Sequence, residues 1–211
     1  MTIERALMSA PKYATGPVIG EAYGGGFYAG KISVAGNGIA SHYLIVAPKS
    51  SGETTKQWKT TNTTTAGTTS LIDGPANSSA MNNASHPAAQ FCEGLTIGGY
   101  SDWYMPAKNE LEVLYYFLKP TTTANSTSFG SNANAVSPEP ISTNYSSGSP
   151  AQTSAAAFQS GGAEAFAADD YWSSTGDTAP AAWLQYFVNG VQAYSNKDFG
   201  RYVRAVRRIP V

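Results

Sequence analysis

The sequence predicts an α+β domain in which two helices pack on short antiparallel sheets joined by long polar loops. Three observations carry that reading. Tyr171 to Arg208 contains three strand-like runs separated by turn residues. Leu111, Leu114, Tyr115 and Leu118 recur at i, i+3, i+4 and i+7, the apolar stripe of an amphipathic helix. Phe27–Ser33 and Ile39–Ala47 flank Gly36-Asn37-Gly38, which reads as a hairpin.

Taken in order, residues 1–16 read as an N-terminal arm, with Ile3, Leu7 and Met8 beside Glu4, Arg5 and Lys12, and one domain is expected over 17–211. Gly24-Gly25-Gly26 lacks the Lys-Ser/Thr of a phosphate loop and is expected to allow tight packing where the first strand begins. Leu44-Ile45-Val46 suits a buried strand. Ser50–Asn77 is polar and threonine-rich, an ordered loop with one short strand near Trp58.

Met81, Ala84, Ala88, Phe91, Cys92 and Leu95 fall at helical spacing. Pro87 kinks this first helix or restarts it behind a Ser85 cap. Pro106 is expected in the first turn of the second helix, which Pro120 ends. Trp103 is expected to plug the core below that helix, and Glu110 to meet a C-terminal arginine. Residues 121–170 are mostly Ser, Thr, Asn, Ala and Gly, with one short helix expected near Gln152–Phe158.

In the C-terminal runs, Trp183, Gln185 and Phe187 fall on one side of a period-2 strand, and Leu184, Tyr186 and Val188 on the other. Both sides are largely apolar, so the strand is expected to lie inside the domain or to have a partner on each side. Asn189-Gly190 is the dipeptide of a type I′ hairpin turn, whose two central residues need positive φ. The run Tyr202–Arg208 alternates poorly. Arg204 and Arg207 point opposite ways, and each needs a carboxylate or carbonyl partner once buried.

These residues carry a resemblance. Trp172-Ser173-Ser174, Trp183, Phe187, Asn189-Gly190 and Val203-Arg204 with Val206-Arg207 resemble the C-terminal half of the Lcl C-terminal domain family, a bacterial and phage family of unknown function. The likeness extends to His86–Cys92 and to Gly98–Pro106 followed by Glu110-Leu111. It implies a C-type lectin-like fold and a place among phage structural proteins, and it makes Trp103, Leu111, Trp172, Trp183, Phe187, Arg204 and Arg207 framework residues.

Composition narrows the function. Aromatics make up 12% of the 211 residues, charged residues only 13%, and the net charge is −1. That balance gives no electrostatic case for nucleic acid or a membrane surface. One cysteine, Cys92, excludes a disulfide framework within the chain and a cysteine-rich zinc site. No apolar run of membrane-spanning length occurs, and residues 1–17 show no apolar signal core; with the neutral, hydrogen-bonding composition and the resemblance to phage proteins, the expected location is a phage particle made in the bacterial cytoplasm.

Calcium-dependent lectins of this fold resemble one another in a Glu-Pro-Asn or Gln-Pro-Asp triplet and a later Trp-Asn-Asp. Here Glu139-Pro140 runs into Ile141, and Trp172 and Trp183 precede Ser173 and Leu184. No calcium sugar site is expected, although Asp169-Asp170 leaves an incidental ion open. Enzymes of related fold rely on a cysteine pair or a histidine cluster; Cys92, His42 and His86 stand alone. No catalytic residue, metal or cofactor is expected.

Binding fits better. Variable proteins of diversity-generating systems resemble this fold and place contact residues on the C-terminal strands and loops. The corresponding candidates are Tyr186, Gln192, Tyr194, Asn196, Lys197, Asp198 and Phe199. The expected function is that of a non-enzymatic virion protein, on a tail fibre, baseplate or capsid surface, that binds a host glycan or outer-membrane protein. Its partners would be other virion subunits, in many copies. A structural connector and a bacterial surface adhesin are the alternatives.

Overall fold

The computed structural model describes residues 16–211, and its first element is a tight hairpin. The expected N-terminal arm, Gly16 apart, lies outside the described residues. Strand β1 (Ala22–Tyr23) turns through Gly24-Gly25 into β2 (Gly26–Ile32). Both turn glycines have positive φ, +58° and +86°, the geometry a two-residue hairpin needs.

That chemistry had been expected at Asn189-Gly190. There only Gly190 has positive φ, +78°, and no non-glycine among the described residues does. The reason is packing. Phe187 leaves the strand for the core, so the connection is wider: Gly190 N–H donates to Tyr186 O at 2.9 Å, and Tyr186 N–H to Val191 O at 2.9 Å.

Strand β3 (His42–Val46) pairs antiparallel with β2, as the first hairpin predicts, and with β9 (Val206–Pro210), giving a four-stranded sheet ordered β1-β2-β3-β9. One turn of helix, α1 (Lys49–Gly52), leads into β4 (Glu53–Gln57), the short strand expected beside Trp58. It edges a five-stranded sheet with β5 (Asp170–Gly176), β6 (Ala181–Tyr186), β7 (Gln192–Asn196) and β8 (Gly200–Arg204), in the order β4-β8-β5-β6-β7.

The single run expected over Tyr202–Arg208 is thus two strands in two sheets. Ala205 makes the crossing, donating to Gly52 O and accepting from Ala47 N–H, each at 2.9 Å. The step between sheets resets the alternation, so Val203 and Val206 are both fully buried.

Three further helices follow β4, α2 (Gly74–Ala80), α3 (Pro87–Glu93) and α4 (Lys108–Leu118). The expected helix over residues 81–95 is only α3. It starts at Pro87 behind His86, not behind a Ser85 cap. The sequence reading placed a loop where α2 forms. Asp73 caps it by accepting from Ala76 N–H at 3.3 Å, and Pro75 sits in its first turn. Pro106 lies just before α4 rather than in its first turn, and the Glu110 carboxylate accepts the Ala107 N–H at 2.8 Å.

Helix α4 fills the space between the sheets. Leu111, Leu114, Tyr115 and Leu118 pack with Leu44, Val46, Tyr171, Phe187 and Val206. A second core gathers Trp58, Trp103, Trp172, Leu184, Val203 and Cys92. Burial pushes the Cys92 thiol well above its ordinary range, so it packs as a small hydrophobe. Trp103, Leu111, Trp172, Phe187, Arg204 and Arg207 are buried, as framework residues should be. Trp183 is a correction: it is only half-buried.

Three arginines tie the carboxyl end down. Arg204 meets Glu164 at 2.6 Å, Arg207 meets Asp102 at 2.7 Å and Arg208 meets Glu110 at 2.8 Å. The long polar segment after α4 is ordered by a buried lysine. Lys119 Nζ donates to Thr123 O at 2.6 Å, Asn125 Oδ1 at 2.7 Å and Pro150 O at 3.2 Å. The helix expected near Gln152–Phe158 is a single 3₁₀ turn, Ala156–Phe158. The architecture is mixed α+β, with short helices and two sheets.

Candidate functional site

Strand β7 is the outer strand of its sheet. Its register fixes what lies beside what. Trp183 pairs with Tyr194, Gln185 with Gln192 and Ala181 with Asn196. These six side chains therefore share one face, the one turned toward α4.

Gln192 is buried and donates from Nε2 to Lys108 O at 3.3 Å, holding the first residue of α4 against the strand. That contact places Lys108 Nζ 4.6 Å from the Trp183 ring centroid. Tyr194 meets Trp183 edge-to-face at 5.8 Å and is 63% exposed. Asn196 is exposed further along the same strand. Burial lowers the Lys108 pKa, and nearby Glu112 opposes the shift. The result is an open aromatic corner with an ammonium group against one ring and an amide beside it.

The other candidates fall elsewhere. Tyr186 alternates with Gln185 and so lies on the opposite face, half-buried. Lys197 is buried, with Nζ donating to Thr178 O at 2.9 Å, Ala179 O at 3.0 Å and Thr63 O at 3.3 Å, and stacked 4.7 Å from the Trp58 ring. Its donors serve the framework. Asp198 is half-buried, and its main chain joins Gln57 and Asn62. Phe199 is 50% exposed at the turn between β7 and β8, where its carbonyl accepts from Trp172 Nε1 at 3.3 Å.

Of the seven candidates, the structure therefore brings Tyr194, Asn196 and the anchoring Gln192 together. It adds Trp183, read from sequence as core, and Lys108, which sequence reasoning missed. The period-2 pattern did place Trp183 on the side of Gln185 and Phe187. Nothing local signals Lys108, because its position depends on where α4 crosses β6.

Among the described residues, no group of three or more His, Cys, Asp or Glu side chains is placed to hold a metal ion. No described helix is long and apolar enough to cross a membrane. His86 is buried against Trp58, with its ring between Thr65 and Asn83. Chemically, the open corner offers an aromatic face for the C–H side of a ring, with donors and acceptors at its margin for hydroxyls.

No curated protein and no solved structure matches the chain. The model of the Lcl C-terminal domain matches residues 51–207. That stretch takes in the end of α1, β4, α2 to α4, β5 to β8 and the start of β9, with Arg204 and Arg207. With most of its length matched, including Trp183, Tyr194 and Lys108, the chain belongs to the Lcl C-terminal domain family.

Proposed function

We propose that this chain adopts a C-type lectin-like variant of its α+β architecture and acts as a non-enzymatic recognition domain on a phage particle, binding a host cell-surface glycan. One observation carries the reading: the half-buried Trp183 and exposed Tyr194 stand edge-to-face at an open sheet margin, with Lys108 and Asn196 beside them. Rigid aromatic rings lose little entropy on binding, and the amide and ammonium groups adapt to hydroxyl positions. A chain with only 13% charged residues supports recognition by hydrogen bonding and stacking rather than by charge. Resemblance to phage structural proteins supports the particle as its setting. Single contacts of this kind are weak, so affinity would come from many copies on one particle.

A glycan array, run with and without a calcium chelator, and adsorption of particles to host cells test the proposal. Tyr194→Ala with Asn196→Ala is expected to reduce both by about tenfold or more, with unchanged thermal stability and no effect of the chelator. Normal adsorption by a folded double variant counts against the corner. Loss of incorporation into particles with no loss of glycan binding would instead favour a connector role.

A further inference from the structure

The geometry points to a second ligand subsite at the end of the five-stranded sheet: a polar cleft that takes one ring of a neutral polyhydroxylated ligand, a hexose unit, without a metal ion. This rests on the glycan-binding reading and gives it a second location.

The cleft has a volume of about 210 Å³ and is lined by Thr55, Asp169, Asp170, Gly200, Arg201 and Tyr202. It exists because β5 and β8 are the one parallel pairing among the described strands, with Tyr171 opposite Tyr202. Both strands therefore start at the same end of the sheet, and their first residues open into one recess. Asp170, 4% exposed, is pinned by Arg201 Nη1 at 3.0 Å. Asp169 is exposed, and its Oδ1 takes the Asp170 N–H at 2.8 Å, which leaves its second oxygen for an outside donor. Arg201 keeps a buried Nε–H with no acceptor among the described residues. Tyr202 stacks on Tyr171 at 5.2 Å, which fixes its ring at the cleft wall.

Charge decides the ligand class. Two carboxylates and one guanidinium leave the cleft near −1, unfavourable for an anion. A divalent cation needs six or more oxygens, and here the guanidinium already occupies Asp170. The free Asp169 oxygen, the Arg201 guanidinium and two hydroxyls instead match adjacent hydroxyl groups, each of which both donates and accepts. The volume suits one sugar ring rather than a chain.

Gly200 supplies the test. A Cβ there meets only Thr55 Cγ2, at 3.5 Å, so a larger residue fills the cleft without displacing backbone. The probes are the methyl glycosides of glucose, galactose, mannose and N-acetylglucosamine, titrated into the isotope-labelled full chain with a chelator present and followed through backbone amide shifts. At least one is expected to move the amides of Asp169–Tyr171 and Gly200–Tyr202, saturating at millimolar concentration. Gly200→Leu and Asp169→Asn should each weaken that titration about tenfold at unchanged melting temperature.

Shifts confined to the Trp183–Tyr194 corner would overturn the cleft and leave glycan recognition standing. The same holds if the cleft amides stay still while the array shows wild-type binding. Titration only in added calcium would overturn the metal-free claim. Silence at both surfaces and across the array would overturn the inference together with the function on which it rests.

Discussion

Arg208 Nε donates to Glu110 Oε1 across 2.8 Å, joining the last strand to the first turn of α4. Glu110 is completely buried. Its carboxylate also accepts the Ala107 N–H and the Tyr104 hydroxyl, so one side chain satisfies a helix terminus, a tyrosine and an arginine. Burial raises the Glu110 pKa, and Arg208 pulls it back. The pair lies where α4 meets the four-stranded sheet, so it fixes how the helix sits between the two sheets.

Removing one partner of that pair leaves a buried charge alone. Arg208→Met is expected to destabilise the domain by about 3–5 kcal/mol, measured by urea unfolding. Adding Glu110→Gln should recover part of the loss, because the stranded charge goes with it. Additive single effects in that double-mutant cycle would refute the coupling.

Stability should carry a pH signature from Glu112. Burial pushes its carboxyl up to about 7 from an ordinary 4.5, partly offset by the Tyr145 hydroxyl that donates to it. The folded state then holds a proton that the unfolded chain has released, so stability falls as pH rises from 4.5 and the loss is complete above 7. Glu112→Gln should remove a decrease of about 3 kcal/mol between pH 4.5 and 8. An identical pH profile in wild type and variant would rule this out.

His86 should give the opposite slope. Asn83 Oδ1, which also takes the Ser85 N–H, can only accept, so His86 donates to it from Nδ1 at 2.9 Å. Nε2 then accepts the Thr65 hydroxyl at 2.9 Å, and the ring is neutral. Burial, then Lys59 and Lys197, lower its pKa from 6.5 to about 4. The unfolded chain takes up the proton first, so this stabilisation is complete above pH 6.5 and fades as pH falls toward 4. His86→Gln should flatten the acid side by roughly 2 kcal/mol. Since His86 and Glu112 oppose each other, each slope is read as the difference between wild type and variant.

Two glycines separate backbone strain from packing. Gly99 has φ +84° and nothing within 4 Å of a Cβ, so Gly99→Ala should cost only about 1 kcal/mol. Gly190 has φ +78°, but its Cβ would come within 2.5 Å of the Tyr115 ring. Gly190→Ala should cost about 3 kcal/mol or more, since the core must also shift. Equal melting temperatures for the two variants would disprove the close packing of this loop on α4.

Much of the frame is legible in local pattern. The apolar stripe of Leu111, Leu114, Tyr115 and Leu118 marks α4, because a helix presents one face every three or four residues. Trp172, Trp103 and Phe187 are buried as their strand and loop contexts predict. The misses have one source. The Asn189-Gly190 dipeptide favours a tight turn, but Phe187 seeks the core and Gly190 lies against Tyr115, so tertiary packing overrides the local preference. Asp73 and Pro75 did signal α2, in a threonine-rich stretch without apolar periodicity.

The sequence by itself determined the family, the mixed α+β class, the buried tryptophans and the need of the C-terminal arginines for acidic partners. Each of these follows from residue type and near-neighbour spacing. The expected partner Glu110 does meet a C-terminal arginine, Arg208, whereas only the tertiary structure decided that Arg204 meets Glu164 and Arg207 meets Asp102, that Ala205 carries the chain from one sheet to the other, and that Trp183 stands at an open corner with Lys108 and Tyr194. Those outcomes depend on where α4 lies between the sheets. The groups that set its position are joined through space, by Glu110 with Arg208 and by Gln192 with the Lys108 carbonyl, across separations in sequence that no local pattern encodes.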